Sequence, residues 1–225
     1  MTRPAVYIIC SDQHRNGKTL LARVLVDYLL LEDRDPFAID ADAQKAPLRG
    51  FFPGRTALVD LEAITGQMKA FDTILASPGR DYVIDLPALQ TERFFAVADD
   101  LNALAAMHEA GFRIVVFFVV DKRQASALIA EAMTRRAGID LSVPVVNKYV
   151  GSSWGDRGYA LILPELNQST IAAIANKRVS LRAVAEGDSE GLTEPQQREV
   201  IAFLSAVMRD LSDVDPIVSL NELKR

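Results

Sequence analysis

The sequence predicts a three-layer α/β/α fold with a mostly parallel central sheet. Two observations carry that expectation. Short apolar runs rich in β-branched and aromatic residues alternate with longer segments whose apolar residues recur at helical spacing. The short runs also lack clean in–out alternation, as expected of strands covered by helices on both faces. With 225 residues, 49% hydrophobic and 24% charged, the chain can bury one sizeable core. A single domain over residues 1–225 is expected, without internal repeats or low-complexity tracts.

The first strand is Ala5–Cys10 ("AVYIIC"), with further strands expected at residues 36–39, 82–84, 112–120, 143–146 and 159–163. Helices are expected over Lys18–Leu31 and residues 66–75, 91–110, 122–136, 165–175 and 194–211. In the first helix, Leu21, Val24, Leu25, Tyr28 and Leu29 fall on one face. Gly111, in "HEAGFR", marks a helix end before the next strand. Residues 46–56 ("APLRGFFPGRT") hold two prolines and two glycines and predict an exposed loop. Phe51 and Phe52 are expected exposed there, as a partner or dimer surface, with a folded-back loop as the alternative. Residues 186–197 lead into the last helix, with Thr193 a candidate cap.

Composition narrows the function. The formal net charge of -5 argues against binding nucleic acid through overall charge. Lys177, Arg178 and Arg182 form a modest basic cluster that keeps nucleic acid possible. The lone Cys10 rules out an intramolecular disulfide and suits a reducing cytoplasm. The longest apolar run, residues 114–120, is far below the ~20 residues that span a bilayer. The first residues do not read as a secretory signal, so a cytoplasmic protein is expected. The tail "DPIVSLNELKR" is weakly amphipathic, and no membrane attachment is expected from it.

Chemistry begins where the first strand gives way to the first helix. Gly17-Lys18-Thr19 sits at that junction, where backbone N–H groups and the helix dipole can surround a phosphate. Lys18 would supply a point charge to the phosphates, and the Thr19 hydroxyl a ligand for Mg²⁺. The plainer alternative is a lysine and a threonine starting an ordinary helix. Asp40 and Asp42 follow the second strand, at the end that faces the ligand crevice of an open α/β sheet, or else form a solvated acidic turn. Asp85 closes the run at 82–84 just before Pro87, where a carboxylate can hold a Mg²⁺-bound water. Asp81, at the other end of that run, is expected as a solvated edge residue.

Together these stretches resemble the ParA/MinD group of P-loop ATPases, the deviant Walker A family of the SIMIBI class. "SDQHRNGKTLLA" stands where the family has a glycine-rich loop ending in Gly-Lys-Thr. "IDADAQ" is similar to its Asp-x-Asp-Pro-Gln segment, and "DYVIDLPA" to its Walker B-type strand. "VPVVNKYVG" and "LILPELNQSTIAAIANKRVSL" are looser matches to its late base-binding segments. The resemblance implies ATP and Mg²⁺ as cofactors. It implies nucleotide contacts from Asn16, Gly17, Lys18, Thr19 and Leu20, with Asn147 reading adenine, and Arg15 is expected to join them from its place in the loop. Thr19, Asp85 and Asp40 would face the metal, and Asp42 with Asp40 would position the attacking water. Asn147-Lys148 is followed by Tyr149 and Val150, so the carboxylate that reads guanine in related GTPases is missing. The family's signature lysine falls on Gln13, and loop glycines fall on Asp12, His14 and Arg15. Arg15 is the replacement cation, since guanidinium grips phosphate bidentately.

Other chemistry-bearing residues are set aside. His14 is read as a phosphate donor or an exposed side chain, and His108 and Cys10 as structural. Trp154 is read as a loop anchor, or as a cover for the base. No Cys/His spacing suits zinc. The function implied is a slow, weak ATPase switch that dimerises on nucleotide, meets an unidentified protein partner and positions some cargo. The alternatives are an ATP-dependent small-molecule enzyme of the dethiobiotin synthetase/amidase type, and a pseudo-ATPase interaction module.

Overall fold

The computed structural model describes residues 3–188 and 190–222, with side chains at 64 and from 215 onward outside the description. Seven strands, β1 (Ala5–Cys10), β2 (Pro36–Asp40), β3 (Thr56–Leu58), β4 (Asp81–Asp85), β5 (Arg113–Val120), β6 (Leu141–Asn147) and β7 (Leu161–Leu163), form one sheet. Its order is β3-β2-β4-β1-β5-β6-β7, and every pairing is parallel. The helices are α1 (Lys18–Leu31), α2 (Ile64–Leu75), α3 (Thr91–Asp100), α4 (Ala103–Glu109), α5 (Gln124–Met133), α6 (Gln168–Lys177), α7 (Leu181–Ala185) and α8 (Glu194–Glu222). They cover both faces of the sheet and give the expected three layers.

Strand side chains alternate between two apolar cores. Tyr7, Ile9, Val83, Phe117 and Val145 pack with α1, α6, α7 and α8. Val6, Ile8, Ile84, Phe118 and Val120 pack with α2 to α5. The period-2 geometry of a strand sends neighbours to opposite faces, and both faces are buried. That is why the sequence shows apolar runs instead of alternation. From β1 the chain turns to one side of the sheet, towards β2, and from β4 to the other, towards β5. The strand ends around β1 and β4 therefore border the crevice where such sheets take ligands.

Several expectations change. The helix expected over 91–110 breaks at Asn102, whose φ of 53° is left-handed, a conformation asparagine tolerates. The stretch 46–56 is not simply exposed. Leu48 is fully buried, Phe52 is buried and Phe51 half-buried, and Thr56 begins β3, which the sequence reading missed. So the loop folds back. Asp81 is not a solvated edge residue: it is buried, accepts from the Ala5 amide at 2.9 Å and is ion-paired with Arg34. A buried carboxylate needs such a partner. Helix α7 was unexpected, and α8 runs beyond 211. Gln196 Oε1 accepts from the Thr193 amide and hydroxyl at 2.9 and 3.1 Å, closing the start of α8. The side chains of the tail that was weighed for membrane attachment lie outside the described residues. Among the described residues, no helix is long and apolar enough to cross a membrane.

Asp27 ties α1 to α7, accepting from the amides of Leu181 at 2.8 Å and Arg182 at 3.2 Å. Burial pushes its carboxyl up to about 6, against those two donors and the Arg23 charge. Protonated Asp27 thus favours the folded state. That contribution is complete below the unfolded value near 3.8 and gone once pH has risen through about 6. Asp27→Asn keeps an acceptor without the titration. Relative to this variant, the wild type should lose roughly 3 kcal/mol of unfolding free energy between about pH 4 and pH 7. Urea unfolding of both proteins across that range measures it.

Candidate functional site

The loop between β1 and α1 is built around Gly17, at φ 101°. A Cβ there would sit 2.4 Å from Asn147 Nδ2, so any other residue would push the Asn147 amide off the Asn16 carbonyl. Asn147 is buried, donates to the Asn16 carbonyl at 2.9 Å and accepts from the Tyr149 amide at 3.0 Å. It braces the loop from below. Asn16 is itself buried and bonded to Ser11 Oγ. Leu20 turns towards the core.

Beyond Gly17 the first turn of α1 presents Lys18 and Thr19. Lys18 Nζ donates to the Gln13 carbonyl at 2.7 Å and to Asn16 Oδ1 at 3.3 Å, which curls the loop around the ammonium. Burial lowers the Lys18 pKa, opposed by the charge of Asp85. Thr19 Oγ1 donates to Asp85 Oδ2 at 2.6 Å. Asp85 is 4% exposed, and burial pushes its carboxyl up to about 7, with Asp40 and Asp42 adding to the rise. A buried carboxylate, a hydroxyl and a shortage of compensating positive charge fit a hard divalent cation. Among the described residues there is no group of three His, Cys, Asp or Glu side chains able to hold a metal. Mg²⁺ at phosphate sites needs only one or two protein oxygens beside phosphates and water.

A cavity of about 470 Å³ opens above this pair, lined by His14, Arg15, Lys18, Thr19, Asp42, Lys45 and Asp85, among others. A smaller one of about 220 Å³ adjoins it through His14, Asp42 and Lys45. The sequence-predicted Arg15, Lys18, Thr19, Asp42 and Asp85 are therefore brought together. Arg15 is exposed and left-handed at φ 55°. Asp40 is placed differently from the metal-facing role expected of it. It is fully buried, one oxygen accepts from Leu48 N and Arg49 N at 2.7 and 3.1 Å, and the other from Asp42 N at 3.2 Å. It anchors the loop after β2 and does not line the cavity. Asn147 gives one N–H to the loop and its oxygen to the turn at Tyr149.

Asp12 puts a carboxylate in a loop that resembles a phosphate-binding one, where a negative charge facing the ligand would repel it. Its carboxylate pairs with Arg123 at 2.5 Å and accepts from Ser126 Oγ at 3.0 Å, so it faces the turn after β5. Arg123, Ser126 and Lys45 were not singled out in the sequence. No motif marks them, and only tertiary folding brings them to the loop. Cys10 is fully buried with its thiol pushed up to about 12 by burial. His108 lies 2.8 Å from Asp140. Trp154 is buried and donates to the Gly158 carbonyl at 3.2 Å, as a loop anchor does.

A Gly-Lys-Thr turn between the first strand and helix, with its threonine bonded to a carboxylate ending a neighbouring parallel strand, defines the P-loop NTPase fold class. No protein-family model matches the chain, and no curated protein matches it in sequence. Among solved structures it is similar to the septum site-determining protein MinD complexed with Mg-ADP from Pyrococcus horikoshii OT3. The identity is 17%, the TM-score 0.61, and 97% of this chain and 99% of that chain are covered. It is also similar to the MinD cell division protein of Aquifex aeolicus, at 17% identity and a TM-score of 0.54 over 93% of this chain and 97% of that one. The MinC:MinD complex of Aquifex aeolicus gives 16% and 0.53, over 93% and 96%. The fold is that of the MinD-like P-loop NTPases.

The close approach at Gly17 predicts a coupled pair of substitutions. Gly17→Ala should lower the unfolding free energy by about 1–3 kcal/mol through its left-handed backbone and the clash with Asn147. In an Asn147→Ala background the same change should cost measurably less, a non-additivity that denaturant unfolding of the four proteins detects. Strict additivity would rule out the clash as the cause.

Proposed function

We propose that the chain is an ATP- and Mg²⁺-binding switch of the ParA/MinD kind, a member of that family whose loop has diverged. The observation that carries this is the convergence of Lys18, Thr19 and Asp85 in one cavity at the ends of β1 and β4. In this reading the Lys18 ammonium exchanges the Gln13 carbonyl for phosphate oxygens, and Arg15 adds a second cation from the loop rim. Thr19 and Asp85 would hold the metal, whose positive charge would offset that of the phosphates. Asp42, half-buried at the cavity wall, orients water for slow hydrolysis. Adenine is preferred to guanine because no carboxylate follows Asn147-Lys148.

Dimerisation on nucleotide, a protein partner and a positioning role belong to the same proposal, as do a single domain and a cytoplasmic setting. Likeness to a MinD solved with Mg-ADP supports the nucleotide, and likeness to one assembled with MinC supports a protein partner. One set of observations favours a second reading, a pseudo-ATPase that binds without turnover. Gln13 stands in place of the family's lysine, and both oxygens of Asp40 are committed to the loop backbone.

Calorimetric titration with ATP·Mg²⁺ tests the proposal, with GTP·Mg²⁺ and Lys18→Ala as controls. Micromolar ATP binding, lost in the variant and absent for GTP, is the expected result. No binding by the wild type would end the nucleotide reading. In the same assay Arg123→Ala should weaken ATP binding several-fold, because it frees the Asp12 carboxylate to turn towards the phosphates. Phosphate release by Asp42→Ala separates the two readings: the switch predicts a lost slow rate, the pseudo-ATPase no change.

A further inference from the structure

Beside the nucleotide cavity, a second cavity of about 590 Å³ lies between the loop at residues 45–53 and the C-terminal end of α6. We propose that it is a separate anion site, taking a phosphorylated small molecule with an apolar or planar body. Lys45, Arg49 and Arg178 line it, and no aspartate or glutamate does. Among the described residues, neither Arg49 nor Arg178 has an ion pair or a side-chain hydrogen bond. Most other arginines of this acidic chain are committed: Arg34 to Asp81, Arg55 and Arg80 to Asp35, Arg123 to Asp12, Arg136 to Asp99. Two guanidinium groups left without carboxylates at one concave site provide the planar forks that grip phosphate.

The wall of the cavity is built. Leu48 is buried to the last atom and, with Arg49, is held by its amide to Asp40. The Phe51 ring is fixed by the buried Arg23 guanidinium, 3.5 Å from its centroid. Pro47, Phe51 and Pro53 supply an apolar surface beside the cations. Arg178 leaves α6 in a left-handed conformation, φ 52°, and its Cδ and Nε lie 3.7 Å from where a Cβ of Gly50 would stand. That places the guanidinium stem across the loop. A volume in the small-ligand range and charges gathered in one concavity favour a compact ligand over an extended nucleic acid. Lys45 and Pro47 also line the nucleotide cavity, so the two occupancies would be linked through one loop. That linkage rests on the nucleotide reading, whereas the second site does not.

Sodium pyrophosphate is the probe, followed by amide NMR shifts. The expected result is two saturable sets of shifts, one at residues 17–19 and one at Gly50, Phe51 and Arg178. Lys18→Ala should remove only the first set. Arg49→Ala combined with Arg178→Ala should remove only the second. Both arginines are exposed, and unchanged amide signals elsewhere would verify the fold. A missing second set in the wild type, or one that survives the double substitution, overturns the proposal. So does a short single-stranded oligonucleotide that shifts the second set at concentrations well below those of pyrophosphate. Loss of the first set alone in the wild type would count against the nucleotide site and leave the second standing.

Discussion

The contact between Gly17 and Asn147 sets the geometry on which the site depends. Because Gly17 has no side chain and a left-handed backbone, the end of β6 can come under the loop and bond the Asn16 carbonyl. With the loop pinned at that point, α1 starts where Lys18 turns inwards and Thr19 reaches Asp85. A bulkier residue at 17 would move the start of the helix. The strand order places the ends of β1 and β4 side by side, so a displacement of α1 would separate the threonine from its carboxylate.

Charge at the site is organised by burial. Lys18 and Asp85 each suffer desolvation, which lowers the first and raises the second, and each partly offsets the penalty on the other. The loop keeps a further negative group, Asp12, from adding to the imbalance by pairing it with Arg123. The region above the helix start is thereby left with Lys18 and Arg15 as its loop cations. A cleft so arranged favours an anion that brings its own divalent cation. The acidic surface of the rest of the molecule adds nothing to that preference.

What the sequence disclosed depended on how local each signal was. The parallel sheet showed itself in apolar runs because strands buried on both faces have no polar side to display. Gly17-Lys18-Thr19 and Asp85 could be placed because each closes or opens an element within a few residues. Asp40, Asp81 and Asn147 carry the same polar signature as exposed groups, yet their partners lie on Leu48 and Arg49, on Arg34 and Ala5, and on Asn16. Phe51 and Phe52 looked exposed because prolines and glycines flank them. Arg23, on a different element, provides the surface on which Phe51 folds back. The break at Asn102 is a backbone event that helical periodicity does not register.

The clasp between Asp12 and Arg123 joins positions 111 apart in sequence. Its consequence concerns the order of assembly. The motif is complete when the first helix has been synthesised, but Arg123 and Asn147, which brace its loop, lie beyond the fifth strand. Closing so long a loop is slow compared with helix formation. The nascent chain would therefore display a readable phosphate motif well before it could hold a phosphate. Competence for ligand would come late, as a property of the assembled sheet.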